Sequence, residues 1–525
     1  MNAITNMARL TRAGAVIAWS GARVLPDEIR LPPPLALFGR LTAPLRKEKA
    51  NGANEARLSN ALTSLGPSYI KLGQSLATRD DIIGRELAAD LATLQDRLTS
   101  FSQDEAQKAV EQALEAPIGK PFVEFGPPVA AASIAQVHKA AVREPDGALK
   151  PVAVKVLRPG IEQRFNRDLD SYFFAARMIE RLHPPSRRLR PQAVVETLAK
   201  SVAIEMDLRM EAAAISEMAQ NSKNDEGFRV PEVDWSRSAR RVLTLEWIDG
   251  IPISDHDALR AQGHDLRALG TRLMQTFLRH AMRDGFFHAD MHPGNLFIDD
   301  RGCIVAVDFG IMGRLGLKER RFLAEILHGF ITRNYRRVAE VHFEAGYVPR
   351  KHSVELFAQA LRAIGEPIMD RPASEISMAQ LLGQLFQYTE VFDMQTRPEL
   401  LLLQKTMVVV EGVGRSLDPE LNIWVVAEPV VKDWLQSQFG PEAQFEAAAE
   451  GAVSVGRFVT DIPKLLGQAE RTADAFSAFV EDGLRLDDYT VERLAEAQSR
   501  KNRANRIGIW VGAIALAAIA IALLF

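Results

Sequence analysis

Apolar positions switch between helical and strand spacing along this chain, and the switch points divide it. From residue 58 onward Leu62, Leu65, Tyr69, Leu72 and Leu76 recur at helical intervals. Gly66-Pro67 interrupts the run, which restarts as a second helix with proline near its first turn. Helical periodicity continues over residues 82–98 and 103–114. After Pro121 the texture changes to short apolar stretches at 137–142 and 152–156, split by Glu144-Pro145-Asp146-Gly147, which predicts a hairpin. Helical patterns return over 161–182 and from Pro191 to about Met218. Residues 242–248 predict a strand ending at Asp249-Gly250, and a helix leads from there toward the segment FFHADMHPGNLFI. Two further apolar runs, Leu296-Phe297-Ile298 and 304–307, predict a loop and hairpin, and residues 317–500 read as helical. Pro32-Pro33-Pro34 and the polar stretch 47–57 read as linkers, with no internal repeat.

Bulk properties narrow the class. A chain of 525 residues exceeds one ordinary core, so two or three subdomains are expected. Its 47% hydrophobic and 25% charged content suits a folded protein. A net charge of −3 lacks the basic footprint of a nucleic-acid binder. The single cysteine, Cys303, excludes an intramolecular disulfide, suits a reducing compartment, and reads as a buried strand residue. Arg9, Arg12 and Arg23 among small apolar residues fit either a surface helix or an amphipathic helix lying on a membrane. Residues 507–525 form an uncharged run that spans roughly 28 Å as a helix, near bilayer thickness. Arg500, Lys501, Arg503 and Arg506 precede it, which predicts a membrane anchor with the body of the chain on the cytoplasmic side; a buried core helix is the alternative. Gly508 and Gly512 form a GxxxG step that can pair two such helices into a homodimer.

The chemistry concentrates in a few places. Asp290 and Asn295 lie five residues apart, and Asp308 opens Asp-Phe-Gly thirteen residues later. In protein-kinase-like enzymes such an aspartate meets the acceptor hydroxyl, while the asparagine and second aspartate hold Mg²⁺ on the nucleotide phosphates. The hard cation needs oxygen ligands, and one carboxylate must remain free of metal for the proton. Lys155, alone among apolar neighbours on a strand, suits phosphates if a helix carboxylate positions it. Glu205, Asp207 and Glu211 offer that carboxylate; on one helix Asp207 and Glu211 share a face and Glu205 is offset. In place of a glycine-rich loop stand Val129, Ala130, Ala131, Ala132, Ser133, Ile134, Ala135, Gln136 and Val137, a loop expected to cover nucleotide with altered approach of its N–H groups. Lys71 and Gln74 share a helix face. His288 and His292 have the spacing of a zinc helix, but Ala289 replaces the glutamate and Pro293-Gly294 would end the helix.

Taken together, these residues resemble the UbiB family of atypical, protein-kinase-like proteins. The match runs through Lys71-Leu-Gly-Gln74, Ala131-Ala-Ser-Ile-Ala-Gln136, Lys155, Glu205-Met-Asp207, Glu211, residues 288–295 and Asp308-Phe-Gly310. The resemblance implies an α+β, bilobal kinase-like fold: a membrane-proximal segment (1–57), a helical extension (58–120), an N-lobe with inserted helices (121–250), a helical C-lobe (251–500) and a transmembrane helix (507–525). It implies Lys155 on the phosphates of ATP or ADP, paired with Glu211. Asn295 and Asp308 become Mg²⁺ ligands and Asp290 the catalytic-loop aspartate. Lys71 and Gln74 belong to an extension folded over the site, with Lys71 near Glu205. The implied activity is an ATPase or small-molecule kinase supporting ubiquinone biosynthesis at the bacterial cytoplasmic membrane. Its implied partners are membrane lipids, prenylated quinone precursors and other biosynthetic enzymes. A nucleotide-binding scaffold and a conventional Ser/Thr kinase are the competing expectations. Two features depart from the pattern. Relatives tend to have a longer C-terminal membrane region, and the Asp-Phe-Gly is followed by no Ser or Thr until Thr332, so no platform for a peptide is evident.

Overall fold

The computed structural model describes residues 3–19, 58–77, 99–182, 190–369 and 398–439, with isolated positions at 87, 90, 91, 94, 388 and 391–394. Met1–Gln436 forms one unit; of the second, Ser437–Phe525, only the end of a helix is described. The expected helix over 82–98 lies mostly outside the described residues, as do residues 440–500 and the expected span 507–525. Among the described residues no helix is long and apolar enough to cross a membrane.

Helices α1 (Ala3–Trp19), α2 (Leu58–Leu65) and α3 (Pro67–Ala77) come first. The break between α2 and α3 falls at Gly66, whose φ of 108° suits glycine, with Pro67 opening the next turn. Helix α4 (Gln103–Leu114) starts at Ser102, which exchanges caps with Glu105: Ser102 Oγ accepts from the Glu105 N–H, and the Glu105 carboxylate accepts from the Ser102 N–H. Strands β1 (Glu124–Ala131), β2 (Ala135–Arg143) and β3 (Leu149–Leu157) then form antiparallel neighbours. The hairpin between β2 and β3 lies where the sequence predicts it. Strand β1 was not expected, because Gly126, Pro127 and Pro128 hide any alternation. It lies at the sheet edge and its register slips at Phe125 and Pro128, the setting that tolerates proline.

Helices α5 (Ile161–Leu182), α6 (Pro191–Glu205) and α7 (Leu208–Asn221) follow. The continuous helix expected over 191–218 is broken. Asp207 adopts extended φ/ψ (−118°, 92°) and its side chain caps α7 by accepting from the Arg209 N–H. Helix α1 packs on α5: Ser171 Oγ donates to buried Asn6 and Arg9 donates to the Arg167 carbonyl, so one face of α1 is occupied by protein.

Next come β4 (Phe228–Arg229), β5 (Val242–Glu246), β6 (Ile251–Pro252), α8 (His256–Ala261), α9 (Leu266–Arg279), β7 (Phe286–His288), β8 (Leu296–Ile298), β9 (Ile304–Ala306) and β10 (Met312–Arg314). β5 completes the first sheet in the order β1-β2-β3-β5; the others build a β4-β9-β8-β6 sheet and a β10-β7 pair. Cys303 is not a buried strand residue. It precedes β9 in a turn, is partly exposed, and its N–H donates to Asp299. Helices α10 (Leu317–Ile331), α11 (Tyr335–Glu344), α12 (Val354–Met369), α13 (Pro398–Leu417) and α14 (Ile423–Phe439) are helical as the pattern predicts.

Two cores hold the site between them. Val110 of α4 buries against Val154, Val156 and Val242 on one face of the first sheet. The larger core joins α5, α6 and α7 to α9, β7–β9, α13 and α14 through residues such as Leu273, Phe277, Phe287, Leu296 and Val410, all inaccessible.

Candidate active site

Alternation along β3 sorts its side chains. Val154 and Val156 point into the core under α4, so Lys155 points from the other face of the sheet. Its Nζ donates to Glu211 Oε1 at 2.8 Å and to Asp308 Oδ1 at 2.9 Å. Glu211 occupies the first turn of α7 and is only 6% exposed. Burial pushes the Glu211 carboxyl up, opposed by Lys155. Burial pulls Lys155 down, but the Asp308 and Glu211 carboxylates more than compensate and hold it above its ordinary value. Asp308 feels burial in the opposite sense, and Lys155 overrides it, bringing the carboxyl down to about 2. Asp308 also sits at φ 61°, a conformation that costs a non-glycine residue about 1–3 kcal/mol and clusters at functional sites.

The segment after β7 supplies the facing groups. His288 is fully buried; its Nε2–H donates to the Val307 carbonyl (3.1 Å) and its Nδ1 accepts from the Asp290 N–H (3.1 Å). That pattern requires the neutral ring, in keeping with burial, which lowers its pKa. One imidazole therefore ties Asp290 to Val307, the residue before Asp308. Asn295 Nδ2 donates to the Asp290 carbonyl (3.0 Å) and to its Oδ2 (3.3 Å). With that nitrogen engaged, the amide oxygen is the atom Asn295 has for a hard cation. Together with an ionised Asp308, this donor set fits Mg²⁺. His292 Nδ1 accepts from the Gly294 N–H, and its Nε2 lies 3.8 Å from Asp290 Oδ2. The two histidines thus serve separate backbone contacts, and among the described residues no group of three His, Cys, Asp or Glu side chains could hold a metal.

The alanine-rich segment is a strand–turn–strand. Val129, Ala130 and Ala131 end β1, Ala132 to Ile134 turn, and Ala135, Gln136 and Val137 begin β2. Val137 pairs with Lys155 and shares its face, whereas Gln136 pairs with Val156 and faces α4. The Gln136 amide accepts from the Phe101 N–H and donates to the Phe101 carbonyl, so it staples the start of α4 to the sheet. Its place is away from the Lys155 face, a correction to the expectation for this residue. Ser133 is fully buried and its hydroxyl has no partner among the described residues. Arg158, which no motif had singled out, holds the turn: its Nη2 donates to Ala132 O (3.0 Å) and Thr99 O (2.9 Å), and its N–H to Ile134 O (2.8 Å). An arginine directly after a buried strand gives no sequence signal for this role. Thr406 of α13 was missed likewise; buried, its hydroxyl shares its one hydrogen between Leu402 O (2.8 Å) and Ala289 O (3.1 Å), which links α13 to the loop.

The helical extension meets α6. Lys71 Nζ lies 2.8 Å from Glu205 Oε2, with side chains 9% and 15% exposed. Gln74 donates weakly to Leu94 O at 3.4 Å. Asp207, as the cap of α7, binds the Arg209 guanidinium through both oxygens (2.8 and 2.6 Å), whose hydrogen bonds lower its pKa. Glu205, Asp207 and Glu211 therefore point to three different partners, and the shared helix face expected for Asp207 and Glu211 does not exist.

Comparison with known proteins agrees with this arrangement. Residues 93–342 match the ABC1 atypical kinase-like domain and residues 361–422 the UbiB helical domain. Relatives bearing the name Probable protein kinase UbiB include one from Marinobacter nauticus, 38% identical over 89% of this chain and 85% of its own length. Those from Tolumonas auensis and Aeromonas hydrophila are 39% identical over 87% and 84%, and 40% identical over 81% and 78%, respectively. A solved complex of Rv3197 with erythromycin from Mycobacterium tuberculosis aligns with 70% of this chain and 93% of that one at 25% identity, with a TM-score of 0.49. With an ABC1 kinase-like body leading into a UbiB helical domain, and relatives this similar along most of its length, the chain belongs to the UbiB family of atypical kinase-like proteins.

Proposed function

We propose that this protein is an ATP- and Mg²⁺-dependent ATPase or small-molecule kinase that supports ubiquinone biosynthesis at the cytoplasmic membrane. The observation that carries the reading is Lys155 shared between Glu211 and Asp308, beside an Asp290 already bonded to Asn295. Lys155 meets the nucleotide phosphates, held in place by Glu211. Asn295 and Asp308 hold Mg²⁺, which when bound neutralises charge on the β- and γ-phosphates. Asp290, its side chain 40% exposed, orients the attacking water or hydroxyl and takes its proton.

The short path from Asp308-Phe-Gly310 through β10 to α10 at Leu317 favours a small acceptor, since it leaves no extended segment for a peptide to lie on. The relatives' name points to a protein kinase and to the Ubi pathway; the second half of that name, with the apolar residues 507–525, supports a quinone precursor met at a membrane. The test is ATP hydrolysis with and without liposomes and a prenylated phenol, on wild type beside Asp290→Asn. Hydrolysis stimulated by the lipid or phenol and lost in the variant supports the proposal. A variant as active as wild type removes it, and nucleotide binding without hydrolysis favours the scaffold.

A further inference from the structure

Helix α7 is held at both ends of the site. At its first turn Glu211 meets Lys155; six residues on, Glu217 meets Arg314 at the end of β10. The Arg314 pair is a fork: Nη1 to Glu217 Oε1 at 2.8 Å and Nη2 to Oε2 at 2.6 Å. The guanidinium also lies over the Phe286 ring, 4.3 Å from its centroid. Phe286 belongs to β7, whose end leads into Asp290, and it pairs with Arg314 in the β10–β7 ladder. The strand pair is itself close-packed: a Cβ at Gly313 would enter the Phe287 ring, so only glycine lets β10 lie there. One side chain, four residues after Asp-Phe-Gly, thus touches the strand that leads into Asp290 and the helix that bears the lysine's partner.

We propose that Arg314 is a positioning residue that couples β10 and the Asp308 segment to α7, setting the helix so that Glu211 reaches Lys155. An ordinary exposed ion pair contributes little because both side chains must be ordered for a screened attraction. Here the contact is bidentate, and the aromatic face below the guanidinium fixes its plane, which gives direction as well as attraction. Arg314 is 65% exposed and Glu217 37%, so altering them leaves both cores intact. The role rests on the proposed reading of Lys155 and Asp308 as the nucleotide side of the site.

Arg314→Glu and Glu217→Arg each set like charges against one another, and the double variant restores an opposite pair without the stack on Phe286. Each single variant is expected to slow Mg·ATP turnover about tenfold, and the double variant to recover most of that loss. Amide exchange over residues 208–221 rises in the singles and falls back in the double, and labelling of Lys155 by an amine-acylating reagent follows it. A merely structural surface pair would raise exchange around residue 217 but leave Lys155 labelling and turnover unmoved. Arg314→Lys keeps the charge but not the fork and falls between wild type and the singles. Single variants within about twofold of wild type in turnover and exchange, or a double variant no better than the singles, overturn the coupling. Exchange and labelling need no turnover, so a wild type that fails to hydrolyse ATP sinks the proposed function while these readouts still decide the coupling. If a charge reversal prevents folding, Glu217→Gln and Arg314→Lys ask the same question in smaller steps, and unchanged α7 exchange in both counts against it.

Discussion

Two lysine–glutamate pairs, Lys155–Glu211 and Lys71–Glu205, have the same 2.8 Å separation and similar shelter from solvent. They differ in what they join. Lys71–Glu205 fastens the helical extension to α6. Lys155–Glu211 fastens strand β3 to α7, and Lys155 also reaches Asp308, which is 45% exposed. A lysine between two carboxylates can exchange the more exposed one for a phosphate when a cation claims Asp308, keeping Glu211 as its support. Equal distances therefore do not mean equal roles: what sets Lys155–Glu211 apart is that its lysine also holds an exposed carboxylate of the Asp-Phe-Gly segment.

The largest break in this comparison is Lys155→Met. It leaves Glu211 buried without its cation, so unfolding in urea should show a loss of about 3–5 kcal/mol, the range for removing one partner of a buried pair. Nucleotide turnover should vanish with it. Next comes Asp308→Asn, which removes the cation ligand but leaves Lys155 its Glu211. Mg·ATP affinity by calorimetric titration should drop at least about tenfold, or 1.4 kcal/mol, with the fold retained. Equal affinity for mutant and wild type would show that Asp308 holds no metal.

Lys71→Met tests the other pair. It should cost about 1–3 kcal/mol and raise amide exchange over residues 58–77 while Mg·ATP still binds. Loss of binding as complete as for Lys155→Met would erase the distinction drawn above.

The smallest effect concerns pH. His288 must stay neutral to accept from Asp290 and donate to Val307, and burial holds its folded pKa below the ordinary 6.5. Below that value the unfolded chain takes a proton that the folded chain refuses, so stability is full above it and declines as pH falls through it. Urea midpoints between about pH 8 and 5 should fall for wild type and flatten for His288→Gln. A wild-type slope unchanged by that substitution would place the titrating group elsewhere.

Lys155, Asp290, Asn295 and Asp308 were legible because each is defined by local spacing on a strand, loop or hairpin that its own neighbours dictate. The α2–α3 break at Gly66-Pro67, the β2–β3 hairpin and the helix over 161–182 were legible for the same reason. Strand β1 was not, because an edge strand need not alternate and tolerates proline.

Sequence by itself determined which chemical groups this protein brings to its kinase-like site: a lone strand lysine, oxygen donors in the order of a kinase-like loop, alanines where glycines are usual. Only tertiary structure decided their partners. Spacing alone left Glu205 and Glu211 both open to Lys155, and only the family resemblance pointed to Glu211; in the fold Asp207 leaves the helix to cap α7, with Glu205 paired to Lys71 and Glu211 to Lys155. Gln136 went to Phe101 because sheet register put it on the α4 face. Asp308 was held in a left-handed backbone conformation beside a lysine 153 residues away. Spacing along the chain reports what one helix or strand presents. Pairing across it depends on where packed cores set those elements, and that is a property of the whole fold.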